Sequence, residues 1–463
     1  MPGFGTGRTR PQVFMNTPQT DQSSSEPQAI PAARVAALTA VEQALPISGK
    51  PGQDIQPALD NALRVLHDPR DKGLATELSY GFLRFKGRMD HLVRRHLAKP
   101  ERTHPLILRV LGMAAFELTH LGGIPPHATL SWAVDAVKSR LGQASANVAN
   151  AVLRRIQDLG PDALNRAFYE HGSTSRAQAL SIWYSCPEWL VRLWLRDYGD
   201  RRTHDLLEAQ LLPPLTGVRV NALHERARPA FDYLVSQPGV AYAEYPPFLA
   251  YDPAKATAVL PDLVSGEREG LLSRQSVAVG DIMRRLDSVN WPEPIWDACA
   301  GRGGKTAVLL EQGHERVWAS DVNARRLRGL RNEMKRLNLP QIPAFLTNAA
   351  TACFREAPAT ILVDAPCSGL GVLSRRPDAK WKRTQTDITN LAGIQRAIIH
   401  GCADKLPAGG LLVYMTCTMT RDENERQGEI IESLGFTREI LAGWDDQSLL
   451  REFFYGGVWK KNS

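Results

Sequence analysis

Apolar residues recur every three or four positions from residue 31 to about 170. Over 32–45, Val35, Leu38, Val41 and Leu45 share one helical face, the spacing of an amphipathic helix. The same period predicts helices over 55–66, 71–85, 89–97, 105–121, 128–141 and 145–159, several of them separated by short Pro- or Gly-containing loops such as 122–126. The stretch 31–170 is therefore expected to be a compact all-α domain. Over 171–284 the pattern changes. Trp183, Trp189 and Trp194 come first, then Pro213-Pro214, then a strand-like VRVNAL, which together read as a linker and small α+β subdomain.

From 285 to the C-terminus, short apolar runs alternate with helical periods. PIWDAC, RVWASD, IPAFLTN, TILVDAP and LLVYMTCT read as strands; TAVLLEQ, ARRLRGLRNEMKRLNL and 394–406 read as helices between them. This alternation predicts a parallel, doubly wound, Rossmann-like α/β domain. Ligands of such sheets sit beyond the carboxyl ends of the strands, and every chemically suggestive motif falls at such an end.

Length and composition narrow the reading. The 463 residues fit two or three domains. An apolar content of 43% suits a soluble globular chain, and no apolar run approaches the roughly 20 residues that span a bilayer. Residues 1–30 are polar, rich in Pro, Ser and Gln, and lack a signal-peptide core. They are expected to be a disordered tail on a cytoplasmic protein without membrane contact. A net charge of +7 favours a polyanionic partner, nucleic acid first. Arg84, Lys86, Arg88, Arg94, Arg95, Lys99, Arg102 and Arg109 crowd the middle of the helical domain. They read either as a solvated face or as a phosphate-contact stripe. The six cysteines contain no C-x-x-C pair, so no metal is expected. A reducing compartment disfavours disulfides, which leaves buried thiols or reactive ones.

The loop after PIWDAC runs Cys299, Ala300, Gly301, Arg302, Gly303, Gly304, Lys305. A Walker loop would place its first glycine on Cys299, and a dinucleotide fingerprint would place its third on Thr306, so both templates fail. A plain strand-to-helix turn and a loop for S-adenosylmethionine (SAM) remain. SAM needs close backbone approach and carboxylates for its ammonium and ribose hydroxyls. Asp297 ends the first strand, and Asp321 ends the second roughly 20 residues on.

The fourth strand ends in Asp364-Ala-Pro-Cys367 and the fifth in Thr416-Cys417. A strand-end cysteine is usually a small buried hydrophobe, the reading given to Cys186, Cys353 and Cys402. Two of them beside a carboxylate suggest thiolate chemistry. Carbon 5 of cytosine is a poor nucleophile until a thiolate adds at carbon 6, and an acid near ring nitrogen 3 then stabilises the developing charge.

At these residues the chain resembles the bacterial ribosomal RNA small-subunit methyltransferase B family (also called Sun or Fmu), within the wider Nol/Nop/Sun group of RNA cytosine-5 methyltransferases. PPHATLSWAVDAVK and VANAVLRRI carry the resemblance in the helical domain, which looks like the RNA-binding protein NusB. Arg219–Asn221, DAPCSGLG, RRPDAKW, YMTCT and DENE carry the rest. The resemblance implies a class I SAM-dependent methyltransferase domain over 285–463. It implies a 16S ribosomal RNA substrate methylated at a cytosine 967-type site, and a monomer. It makes Cys417 the nucleophile, Cys367 the residue assisting product release, and Asp364 a cytosine contact beside the cofactor. Asp297, the 299–305 loop, Asp321, Asn348 and Asp364 itself become cofactor contacts. Arg84, Lys86, Arg88, Arg94, Arg95, Arg219 and Lys380 become candidate RNA contacts.

Three positions depart from the family pattern. Gly301-Arg302 replaces Ala-Pro, which frees the turn and adds a charge near the ligand. Asn348 stands for Asp, and Gln275-Ser276 for Gln-Asp. Two alternatives stay open: a DNA cytosine methyltransferase, in which the Pro-Cys thiol attacks, and a non-catalytic RNA-binding or assembly factor that retains the fold.

Overall fold

The computed structural model describes residues 30–244, 247–255, 259–443 and 447–463. The expected N-terminal tail, apart from Ile30, lies outside the described residues. The helical domain is built on the long helix Pro69–Arg95, packed against Ala32–Ala44 and Pro105–His120, with Pro126–Leu159 closing the core. Asp68 caps the long helix by accepting from Arg70 N at 2.8 Å, and Pro69 opens it. Two expected helices, 71–85 and 89–97, are one. Gly87 does not interrupt it but permits a close approach, since a Cβ there would lie 3.0 Å from Ser185 Cα and from the Trp381 ring. The last pair is joined across a kink at Gly142, where φ is 80°.

The small subdomain is a four-stranded antiparallel sheet, β1 (Thr216–Val220), β2 (Val240–Glu244), β3 (Phe248–Tyr251) and β4 (Leu272–Arg274), in the order β2-β3-β1-β4.

The C-terminal domain holds a seven-stranded sheet. Its parallel strands are β5 (Ile295–Asp297), β6 (Val317–Asp321), β7 (Ala344–Leu346), β8 (Thr360–Asp364) and β9 (Leu411–Thr416). In β8, Ile361, Leu362 and Val363 are all fully buried, as expected of a strand covered on both faces. The sheet is not wholly parallel. β10 (Phe436–Ala442) and β11 (Tyr455–Lys461) form an antiparallel hairpin on β9, giving the order β10-β11-β9-β8-β5-β6-β7.

The domains share cores. Helices Arg176–Trp183 and Glu188–Ala209 pack with Leu370, Leu373, Ala379, Ile388, Met419 and Phe453. Trp194 Nε1 donates to Met419 O at 2.8 Å, two residues beyond Cys417. The loop carrying RRPDAKW reaches into the helical domain, where Trp381 Nε1 donates to Leu83 O at 2.7 Å. No helix among the described residues is long and apolar enough to cross a membrane.

Candidate active site

Five parallel strands bring their carboxyl ends to one edge, and the loops there meet. After β5 the chain turns through Gly301 (φ 58°) and Gly303 (φ 85°) into helix Gly304–Glu311. Gly303 is required twice over: its φ is left-handed, and a Cβ would lie 2.8 Å from Leu330 Cγ. Ala300 N donates to Ser320 O at 2.9 Å and Gly301 N to Asp321 Oδ2 at 3.0 Å, which ties this loop to the end of β6. Asp297 is fully buried beneath it. Its Oδ2 accepts from Thr306 Oγ1 at 2.7 Å, while Oδ1 is left without a well-formed hydrogen bond. Burial pushes the Asp297 carboxyl up to about 7, against the easing effect of Thr306. Burial likewise holds the Cys299 thiol well above its ordinary range, so it is inert.

Two departures noted in the sequence have structural consequences. Asn348 is exposed beyond β7, and its Oδ1 accepts from Ala350 N at 3.0 Å. Arg302 does not add its charge to the crevice. It lies across Gly329 on helix Ala324–Arg336, beside Arg325 and Arg328.

β8 and β9 are neighbours, so Cys367 and Cys417 come together with Sγ atoms 3.4 Å apart. Gly371 N donates to Cys417 O at 3.0 Å and Ala365 N to Met415 O at 2.9 Å, which pins the two loops. Lys305 Nζ donates to Asp364 Oδ2 at 2.6 Å in an ion pair at the cleft wall. Burial draws the Lys305 ammonium down, but Asp364 outweighs it and leaves Lys305 raised. The cleft, about 520 Å³, is lined by Lys305, Asp364, Cys417, Arg376 and residues of the small subdomain including Gln275.

The two thiols are not equivalent. The hydrogen bond with Cys367 holds the Cys417 thiol below its ordinary range, against burial and Asp364 and aided by Lys305 and Arg376. The same hydrogen bond and burial hold Cys367 well above it. The two sulfurs share one hydrogen bond, which shifts Cys417 toward easier ionisation and Cys367 away from it.

DENE was visible as a motif without a role. In the structure Glu423 is a fully buried staple between the cysteine loops. Its carboxylate accepts from Ser368 N (2.8 Å), Ser368 Oγ (2.6 Å), Thr420 Oγ1 (2.9 Å) and Gln395 Nε2 (3.2 Å). Thr418 Oγ1 adds a longer contact at 3.4 Å, and these donors around one carboxylate offset its desolvation. Glu423→Gln turns an NH2 toward these donors and is expected to cost about 1–3 kcal/mol of stability. Thermal unfolding checks this; an unchanged midpoint would remove Glu423 from the framework of the site.

The basic residues need correction. Arg84 and Arg88 are buried, not presented as a stripe. Arg84 Nη2 donates to Ser374 O at 3.0 Å, while Arg88 donates to Trp183 O and stacks 3.9 Å above the Trp183 ring. Arg219 is buried in an ion pair with Glu311. Lys380 is fully buried; its Nζ donates to Arg84 O at 2.9 Å and Gln210 Oε1 at 2.5 Å, and burial draws it down to about 7. These four are joints within and between domains. Lys86 and Arg94 are half-buried and paired with Asp90 and Glu101, and Arg95 is exposed over the Phe168 ring.

Comparison with known proteins agrees with this architecture. The family model described as 16S rRNA methyltransferase RsmB/F matches residues 285–435, and the NusB family model matches 31–158. The chain is 31% identical over 364 residues to the probable ribosomal RNA small subunit methyltransferase B of Bacillus subtilis, covering 77% of this chain and 78% of that protein. It is 30% identical over 400 residues to ribosomal RNA small subunit methyltransferase B of Escherichia fergusonii, covering 85% and 88%. Among solved structures, PH0851 superposes with a TM-score of 0.70 at 20% identity, covering 94% of this chain and all of that one. NSun6 from Pyrococcus horikoshii with SFG gives 0.51 at 18%, covering 60% and 98%.

Proposed function

From the premise that this chain belongs to the ribosomal RNA small subunit methyltransferase B family, we propose that it methylates carbon 5 of a cytosine in 16S ribosomal RNA, at a 967-type site, through a covalent bond to Cys417. The observation that carries this reading is the pair of thiols, 3.4 Å apart, beside the Lys305–Asp364 ion pair.

The methyl donor is SAM, which supplies an electrophilic methyl group when bound. The residues fit it. Asp297 Oδ1 is a buried acceptor short of a partner beneath the glycine loop, suited to a cationic group. Asp321 closes β6, and its oxygens retain lone pairs beyond those taken by Gly301 N and Asn323 N, enough for two hydroxyls. Asn348 offers its NH2 to the adenine edge.

Cys417 adds as thiolate to carbon 6 of the base, which makes carbon 5 nucleophilic. The Lys305 ammonium supplies the positive charge that offsets the negative charge developing on the ring, and the Asp364 carboxylate holds that ammonium in place and can accept from the ring's exocyclic amine. After methylation a base takes the carbon-5 proton, its electron pair restores the 5,6 double bond, and the Cys417 sulfur leaves. The Cys367 S–H, already hydrogen-bonded to that sulfur, stabilises the departing thiolate.

The raised Asp297 carboxyl makes cofactor binding pH-dependent. A cation beside it favours the ionised form, so a proton leaves on binding. SAM affinity is expected to rise as pH climbs through about 7, and Asp297→Asn to flatten the rise. Calorimetry across pH 6–8 reads this directly; a wild-type affinity that does not vary would exclude it. The function itself is tested by bisulfite sequencing of small-subunit ribosomal RNA from cells with and without the protein. One protected cytosine should appear only with it, and identical profiles would refute the assignment.

A further inference from the structure

We propose that Arg302, Arg325 and Arg328 form a phosphate-binding groove for the substrate RNA strand, on the outer side of the loop whose inner side carries Lys305. This rests on the RNA methyltransferase reading and adds where the strand is held.

The groove is about 480 Å³ and is lined by Arg302, Arg325, Arg328, Asn332, Glu333 and Arg336. Two of these residues neutralise each other. Glu333 accepts from Arg336 Nη2 at 2.6 Å and from Ser273 Oγ at 2.9 Å, and Arg336 also donates to Leu272 O at 2.9 Å. Glu333 is the only acid in the lining, so it leaves nothing for the other three arginines. Those three are exposed, and no ion pair or side-chain hydrogen bond holds them among the described residues.

Their convergence comes from two elements. Arg325, Arg328 and Asn332 lie at helical spacing on one face of Ala324–Arg336. Arg302 is brought to that face from the cofactor loop, and the small residue at 329 makes room: a Cβ there would lie 3.3 Å from Arg302 Cγ. Three guanidinium groups gathered without a counter-charge repel one another, and a chain of phosphates removes that repulsion. The guanidinium fork matches phosphate oxygens, and such contacts fix the register of a nucleic acid without reading its sequence.

The groove adjoins the catalytic cleft. Arg302 and Lys305 are three residues apart, at most about 11 Å of chain, and Lys305 lines the cleft with Cys417. β4 links the two: Ser273 Oγ accepts from Arg336 of the groove, and Arg274, with the following Gln275, lines the cleft. A strand whose target base enters the cleft can therefore lay its neighbouring phosphates across the arginines.

The test is RNA affinity against salt, measured by fluorescence anisotropy on a labelled small-subunit rRNA fragment. For single-stranded contacts each phosphate contributes about 0.7 to the slope of log affinity on log salt. R325A/R328A should lower that slope by about 1.4, and adding R302A by about 0.7 more. Lysine at 325 and 328 should restore most of the slope. SAM affinity of R325A/R328A, measured without RNA, should stay within twofold of wild type. An unchanged slope overturns the proposal. So does a loss of SAM affinity as large as the loss for RNA, which would assign the groove to the cofactor's carboxylate. Binding is read without turnover, so the two readings fail separately. A wild type that methylates nothing, with the slope still falling in R325A/R328A, sinks the enzymatic reading and supports the phosphate groove.

Discussion

Replacing Cys417 with alanine is expected to lower methyl transfer by more than about 10³-fold, since the proposed reaction begins with addition of that sulfur to the base. Cys367→Ala should behave differently. Its Cys417 still attacks, but the leaving sulfur has lost the S–H that stabilises it, so protein–RNA adduct accumulates while turnover falls. The same change removes the hydrogen bond that holds Cys417 below its ordinary range. Less thiolate is then present at pH 7, and adduct formation in this variant should speed up as pH rises toward the free-thiol value of about 8.5. Denaturing gels of each variant with RNA and SAM report both effects. Near-normal methylation by Cys417→Ala would remove the nucleophile from the account.

Lys305→Met is expected to lower kcat by about 10²–10³-fold, the scale of losing one well-placed donor. Lys305 acts twice. It pairs with Asp364 at 2.6 Å, and its charge eases ionisation of Cys417. Because Lys305 and Asp364 act as one unit, the Lys305→Met/Asp364→Asn double variant should lose little more than either single change. Steady-state kinetics at saturating RNA and SAM decide it. A kcat within threefold of wild type would make the ion pair structural only.

What was legible in the sequence follows from what local order can encode. Strand and helix alternation forces Asp297, Asp321, Asp364 and Cys417 to one edge of the sheet, so their meeting could be anticipated. The ranking of the two thiols could not be read from strand ends and rested on resemblance. What the structure adds is their distance, 3.4 Å between sulfurs, and Lys305 beside Cys417 in the cleft lining. The C-terminal hairpin escaped notice because β10 is an edge strand whose exposed Thr437, Arg438 and Glu439 hide its period.

Lys380 misled for a different reason. Resemblance placed it among the candidate RNA contacts, yet its two acceptors come from residues 296 and 170 positions away. No local pattern carries that information. Gly87 is similar: it reads as a break between helices, but what it marks is the approach of Ser185 and Trp381 from distant segments. Arg302 looked like an intrusion on the cofactor, and only the helix with Gly329 explains where its side chain lies.

The most direct test of the central claim is peptide mapping by mass spectrometry of the adduct formed by Cys367→Ala with small-subunit ribosomal RNA and SAM. The account predicts a cytidine nucleotide bearing one added methyl group, attached to the peptide that contains Cys417. A nucleotide on any other residue would contradict it, as would methylated RNA from a wild-type protein whose product carries the methyl away from carbon 5.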